Sequence, residues 1–187
     1  MFVIEIVQIV VVAAAIIIPV RFFLVQPFYV RGASMEPTFF DKEYLLIDEI
    51  TYRFAEPKRG DVVVFRYPRD PSEFFIKRIV GMPGDTVDVK DGGVTITNQD
   101  HAGGVVLEET YLDQPVTIGN KHVTLNPDEY FLLGDNRGSS LDSRNFGPVK
   151  EEYIVGKVWL RGLPLDRFSL FEPTTYEQLE PAVSGDE

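Results

Sequence analysis

The chain has 187 residues, a formal net charge of −11 and no cysteine, so disulfides, thiol nucleophiles and thiolate metal sites are excluded. The negative balance also excludes a phosphate-neutralising basic surface, and no nucleic acid is expected as a partner. The length allows one sizeable core, and 15 glycines and 13 prolines spread along it suit a turn-rich β protein.

The first element is oily. Residues 2–25, "FVIEIVQIVVVAAAIIIPVRFFLV", are almost continuously apolar, with Glu5 and Gln8 near the start. A window of ~20 residues at ~1.5 Å each crosses a ~30 Å hydrocarbon layer, so residues 1–25 are expected to form a transmembrane helix anchored in the lipid bilayer. A cleaved signal peptide fits less well, because no basic region precedes the run and the run continues past "AAA". Arg21 and Arg31 follow the segment and no Lys or Arg precedes it, so charge alone points the rest of the chain toward the cytoplasm.

Short β-prone runs follow in order: "EYLLIDEI" (43–50), "DVVVF" (61–65), "FFIKRIVG" (74–81), "TVDVK" (86–90), "VTIT" (94–97), "EYFLLG" (129–134) and "GKVWLRG" (156–162). Turn signals such as "EPKRG", "MPGD", "DGG" and "NPDE" separate them. A helix is expected to begin at "KEEYIV" (150–155). Residues 88–128 are more polar, contain glycines and both histidines, and read as hairpins forming a small insertion or cap. The body is thus a mainly β domain over 26–170. The acidic end, 171–187, has no base and is expected to be a flexible tail.

Elimination narrows the chemistry. His101 and His122 have no metal-ligand spacing and read as surface residues; no metal or cofactor is expected. No GxSxG elbow, P-loop or GxGxxG occurs. An enzyme built on this chain uses serine, lysine, carboxylates or backbone. In an extended "FFIKRIV", alternation puts Phe75, Lys77 and Ile79 on one face. Burial beside two large apolar groups disfavours the ammonium, and a neutral amine can take a proton from a serine hydroxyl. On periodicity alone, a lysine on a half-buried strand whose amine snorkels to water explains the pattern better.

Four stretches in order, "VRGASMEPT" (30–38), "RGDVVVF" (59–65), "FIKRIVGMPGD" (75–85) and "LLGDNRGSSLDSRNFG" (133–147), resemble the successive motif boxes of bacterial type I signal peptidases. The resemblance runs from the anchor to "VGKVWLRGLPL" (155–165), apart from 88–128 and the acidic tail. It implies a twisted β-sheet catalytic core of the signal-peptidase and LexA-like type. It further implies a Ser/Lys dyad in place of a Ser-His-Asp triad, with Ser34 as nucleophile and Lys77 as general base. Ser140 falls where the family has a serine that orients the lysine amine, and Asp142 and Arg144 match an ion pair that holds that loop. Many members carry a serine two places before the nucleophile; Gly32 stands there in this chain. The oxyanion is then expected to rely on backbone N–H groups, those of Ser34 and Gly32.

By the same resemblance the substrates are preprotein signal peptides, cleaved after small residues at −1 and −3. Val30, Met35, Phe39, Phe75 and Ile76 are expected to wall the substrate clefts. The catalytic domain is expected outside the plasma membrane, against the charge rule. Ser34 lies 13 residues beyond Arg21, within ~45 Å of the bilayer at full extension. Two other readings share some of these features. A self-cleaving LexA-like hydrolase has the serine and lysine but a DNA-binding N-terminal domain instead of an oily anchor. A membrane-anchored β binding module has the anchor without the chemistry.

Overall fold

The computed structural model describes residues 2–23 and 25–179. It begins with helix α1 (Phe2–Phe23) and continues as strands β1 (Val25–Tyr29), β2 (Tyr44–Asp48), β3 (Val62–Tyr67) and β4 (Asp70–Gly81). Next come β5 (Thr86–Lys90), β6 (Gly93–Thr97), β7 (Val105–Val106), β8 (Lys121–Thr124) and β9 (Glu129–Leu133). A one-turn helix α2 (Ser143–Phe146) precedes β10 (Val149–Lys150), β11 (Ile154–Leu163) and β12 (Ser169–Leu170). The protein is mainly β, and every strand pairing is antiparallel.

The larger sheet has the order β1-β2-β11-β3-β4-β9-β10, with β12 on β11. Its two faces carry different cores because strand side chains alternate. Val62 and Val64 of β3 pack with Val30, Met35, Phe39, Leu45 and Ile47, while Val63 and Phe65 pack with Ile79, Tyr130 and Leu132. The continuous apolar run "VVVF" is thus a strand buried on both sides.

The stretch read as hairpins lies on a second sheet, β7-β6-β5-β8. This sheet is fastened to the first by a common core, in which Val87, Val89 and Ile96 meet Val80, Phe131 and Leu133. Gly81 sits at the junction, where a Cβ would lie within 3 Å of Val87, Leu125 and Phe131. The turn between β4 and β5 is tied by Asp85, which accepts from Met82 N at 2.7 Å and from Arg59 Nη2 at 2.8 Å.

Two expectations change. Residues 150–155 start a 3-10 turn, Glu151–Tyr153, which leads directly into β11 rather than into a helix. The acidic tail does not begin at 171. Phe171 packs beside Phe39, with ring centroids 5.0 Å apart, and Tyr176 is only 4% exposed within the core under the second sheet. Apolar side chains every few residues give 171–179 enough burial to dock despite its charge. The remainder of the predicted tail, 180–187, lies outside the described residues.

Helix α1 falls within the stretch expected to be an anchor, and apolar side chains from Ile4 to Val12 are exposed along it, Ile9 at 69%, with Glu5 and Gln8 exposed among them. Side chains over 16–25 lie outside the described residues, and among the described residues no helix is long and apolar enough to cross a membrane.

Candidate active site

Ser34 lies in the turn between β1 and β2. Two large side chains on either side of a short loop pin it: Met35 and Phe39 are 1% and 0% exposed, and Phe39 N donates to Met35 O at 2.8 Å. Asn136, after β9, grips the same turn from across the fold. Its backbone N–H donates to Ser34 O and its Nδ2 to Ala33 O, both at 3.1 Å.

Lys77 comes from the middle of β4, opposite Val63. Its Nζ donates to Ser34 Oγ at 2.7 Å and to Ile76 O at 2.8 Å, and the residue is 3% exposed. The Phe75 ring, predicted to share its face, has its centroid 5.7 Å away. Burial pulls the amine down from 10.5 to about 8, while the charges of Asp142 and Asp135 oppose that shift. An amine whose proton is this much more easily lost than a free lysine's lies within hydrogen-bond reach of a hydroxyl, an arrangement able to activate a nucleophile.

Arg78, next on β4, turns to the opposite face and forms a buried bidentate pair with Asp135. Nε reaches Oδ1 at 2.9 Å and Nη2 reaches Oδ2 at 2.7 Å, and Thr38 Oγ1 donates to Oδ2 at 2.6 Å. Arg78, Asp135, Asn136 and Thr38 were not singled out from the sequence. Their signal was present: a guanidinium among "FFIKRIV" demands a buried carboxylate, and "GDN" supplies one beside an amide.

Asp142 and Arg144 pair as expected, with Nε–Oδ1 and Nη2–Oδ2 both at 2.8 Å. Asp142 also caps α2 and accepts from Gly134 N at 3.1 Å. Burial raises its pKa, but Arg144 and the other donors outweigh that and hold the carboxyl below its usual range. Arg144 Nη1 donates to Ile118 O of the second sheet's loops at 2.7 Å, tying the 142–147 turn to that layer. Ser140 departs from expectation. Its hydroxyl is buried without a hydrogen-bond partner and does not reach Lys77; it sits against Gly134, where a Cβ would come within 2.1 Å of it. It is close enough to Asp142 to help lower that carboxyl, though outside hydrogen-bond geometry with it.

The backbone around the nucleophile also differs in part. Gly32 has φ +83, in the left-handed region that favours glycine, and its N–H donates to Asp41 Oδ1 at 2.8 Å. That amide is therefore occupied, and its expected service to an oxyanion is corrected. The Ser34 N–H makes no hydrogen bond among the described residues.

A cleft of about 530 Å³ opens beside the dyad. Val30, Phe75 and Ile76 line it, joined by Phe28, Leu45, Val64 and Leu141. Met35 and Phe39 do not: they belong to the core behind it. Both stand in a motif next to the serine, but their size and the turn's geometry direct them inward. Among the described residues no group of His, Asp and Glu converges as a metal site.

A family model described as signal peptidase, peptidase S26, matches residues 3–162. A protein named probable signal peptidase I-2 from Synechocystis is 37% identical over 84% of this chain and 72% of its own length. Signal peptidase I P from Bacillus subtilis subsp. natto is 32% identical over 88% of this chain and 91% of its own. A crystal structure of a signal peptidase I from Enterococcus faecalis V583 aligns at 31% identity over 55% of this chain and 97% of its own, with a TM-score of 0.48. With its sequence matched over most of its length, the chain belongs to the signal peptidase family, peptidase S26, and is a serine endopeptidase.

Proposed function

We propose that this signal peptidase works through an acyl-enzyme, with Ser34 as nucleophile and Lys77 as general base. The 2.7 Å contact between a hydroxyl and an amine only 3% exposed carries the reading. Neutral Lys77 takes the Ser34 proton as Oγ attacks the scissile carbonyl. The Ser34 N–H receives the oxyanion. Protonated Lys77 then returns the proton to the leaving amine, and the ester is hydrolysed by a water that the same amine deprotonates. Asp142 and Arg144 hold the loop behind the lysine. No cofactor or metal is needed for these steps.

The substrate lies extended in the cleft between β1 and the 72–77 part of β4. β1 is at the sheet's edge, so its backbone is available for pairing with a peptide strand. Residues −1 and −3 of an extended chain point the same way, into walls made by Val30, Leu45, Val64 and Ile76, which favours small side chains there. Helix α1 anchors the enzyme in the plasma membrane; the exposed Ile4, Ile6, Val7, Ile9 and the valines at 10–12 along it support this, since such a run of apolar groups is costly to leave in water. The catalytic domain faces outward.

In detergent, Ser34→Ala and Lys77→Ala are each expected to abolish cleavage of a preprotein while the protein remains folded. Full activity in either variant overturns the dyad. In sealed right-side-out vesicles, added protease is expected to digest the catalytic domain; protection there, with digestion in inverted vesicles, reverses the topology.

A further inference from the structure

Beyond β12 the chain runs back across the sheet and closes over Arg78, on the face away from Lys77. Arg78 has five N–H groups, and each has a partner. Two go to Asp135, one to Thr38, one to Gly60 O at 3.0 Å and the last to Thr174 Oγ1 at 2.8 Å. The Thr174 backbone lies directly on Gly60, where a Cβ would sit 1.8 Å from the Thr174 carbonyl oxygen. Gly60 has φ +90, so both its backbone and the space above it require glycine.

Two residues on, the Tyr176 hydroxyl meets the Tyr111 hydroxyl at 2.8 Å. The Tyr111 ring covers the Arg78 guanidinium, with its centroid 4.0 Å from Cζ, and its hydroxyl donates to Glu109 Oε1 at 2.7 Å. Glu109 pairs in turn with Arg137, in the same turn as Asp135 and Asn136. The segment 171–179 therefore fastens both neighbours of the reactive pair: β4 next to Lys77, and the 135–137 turn that holds Ser34.

We propose that 171–179 is a strap that positions the dyad, and that Thr174 is a positioning residue for the peptidase reaction. The proposal rests on the assignment of Ser34 and Lys77 given above. Thr174 touches no substrate. It completes the shell of Arg78, which fixes β4 at Lys77 and, through Asp135, the Asn136 grip on the nucleophile turn. Without it a buried guanidinium N–H lacks an acceptor, and Arg78 shifts to find one. The separation of Lys77 Nζ from Ser34 Oγ then becomes variable, which penalises the chemical step and leaves the cleft walls in place.

The test is Thr174→Val, close in volume but without the acceptor, compared with Thr174→Ser, which keeps it. Both are assayed on a signal-peptide substrate well below the melting temperature of each protein. Thr174→Val is expected to lower kcat about tenfold with KM within about twofold, and Thr174→Ser to stay near wild type. Tyr176→Phe, which removes only the hydroxyl contact, is expected to lower kcat in the same sense and guards against a misfolded valine variant. A valine variant with reduced Tm but wild-type kcat overturns the strap proposal, as does a Tyr176→Phe enzyme with unchanged kcat if the valine variant fails to fold. Ser34→Ala is run alongside. If it still cleaves, the dyad itself falls; if it is inactive while Thr174→Val and Tyr176→Phe are fully active, only the strap falls.

Discussion

Arg78 and Asp135 form a bidentate ion pair sealed from solvent, and each stands one residue from a group that builds the active site. Arg78 follows Lys77 on β4, and Asp135 precedes Asn136, which holds the carbonyls of Ala33 and Ser34. The pair thus couples the two halves of the proposed dyad through the backbone. Removing one partner leaves the other charge buried, which costs about 3–5 kcal/mol, whereas replacing both with apolar groups is often close to neutral. Asp135→Leu and Arg78→Met are each expected to lower unfolding free energy by about that amount, and Arg78→Met/Asp135→Leu to be less damaged than the sum. Denaturant unfolding of the four proteins gives the cycle. Additive losses count against the coupling.

Burial of Lys77 sets the pH dependence of both rate and stability. The proposed general base acts as the neutral amine, so kcat/KM is expected to rise with pH and level off above about 8. In the unfolded chain the amine titrates near 10.5 and in the folded protein at about 8, so the unfolded state binds more protons between those values. Stability therefore rises with pH across that window, and below it the native state bears the full cost of a buried ammonium, on the order of 3 kcal/mol. Lys77→Met is expected to be inactive, and its stability relative to wild type is expected to be most favourable near pH 7 and to decline by that amount toward pH 10.5. A pH-independent difference between the two proteins refutes the buried titration.

Gly32 tests how the oxyanion site is made. A Cβ there meets nothing within 4 Å, so space is not the constraint; φ +83 is. A serine at this position adds a hydroxyl but incurs roughly 1–2 kcal/mol for the left-handed backbone. It also loosens the Gly32–Asp41 bond that shapes the turn leading to Ser34. Gly32→Ser is expected to lose stability by about that amount with no gain in kcat. A more active, equally stable variant would mean that the turn relaxes freely and the hydroxyl acts as a second donor.

The sequence made much of this legible. The strands at 61–65, 74–81 and 86–90 stood out because β-branched and aromatic runs end at glycine and proline turns, and the structure has strands there. Ser34 and Lys77 were readable only as members of ordered motifs, since their approach depends on a turn and a strand 43 positions apart. Partners formed across such distances escaped. Arg78 meets Thr174, 96 positions away, and nothing local in "FEPTTYEQLE" marks that threonine as an acceptor rather than part of a solvated tail. Side-chain direction escaped too. Met35 and Phe39 flank the serine in sequence, but a tight turn sends large apolar groups into the core, and Ser140 points at Gly134 rather than at the lysine.

That last distinction separates cleft from core in a measurable way. Ile76 and Val30 line the cleft, so trimming them enlarges the space in which the proposed substrate's small residues are expected to sit. Met35 and Phe39 are fully enclosed, so trimming them empties the core: Met35→Ala is expected to cost about 2–5 kcal/mol and Phe39→Ala about 3–5 kcal/mol. Ile76→Ala is expected to raise cleavage of substrates carrying valine or leucine at −1 or −3 relative to alanine, by about 10-fold or more, since one or two methylenes in an apolar pocket discriminate by that factor. Phe39→Ala is expected to leave that ratio unchanged while lowering Tm. Competition assays with paired preproteins measure the ratio directly. If Phe39→Ala relaxes the selectivity and Ile76→Ala does not, the substrate side chains enter the core side of the turn, and the cleft lined by Ile76 is not where they bind.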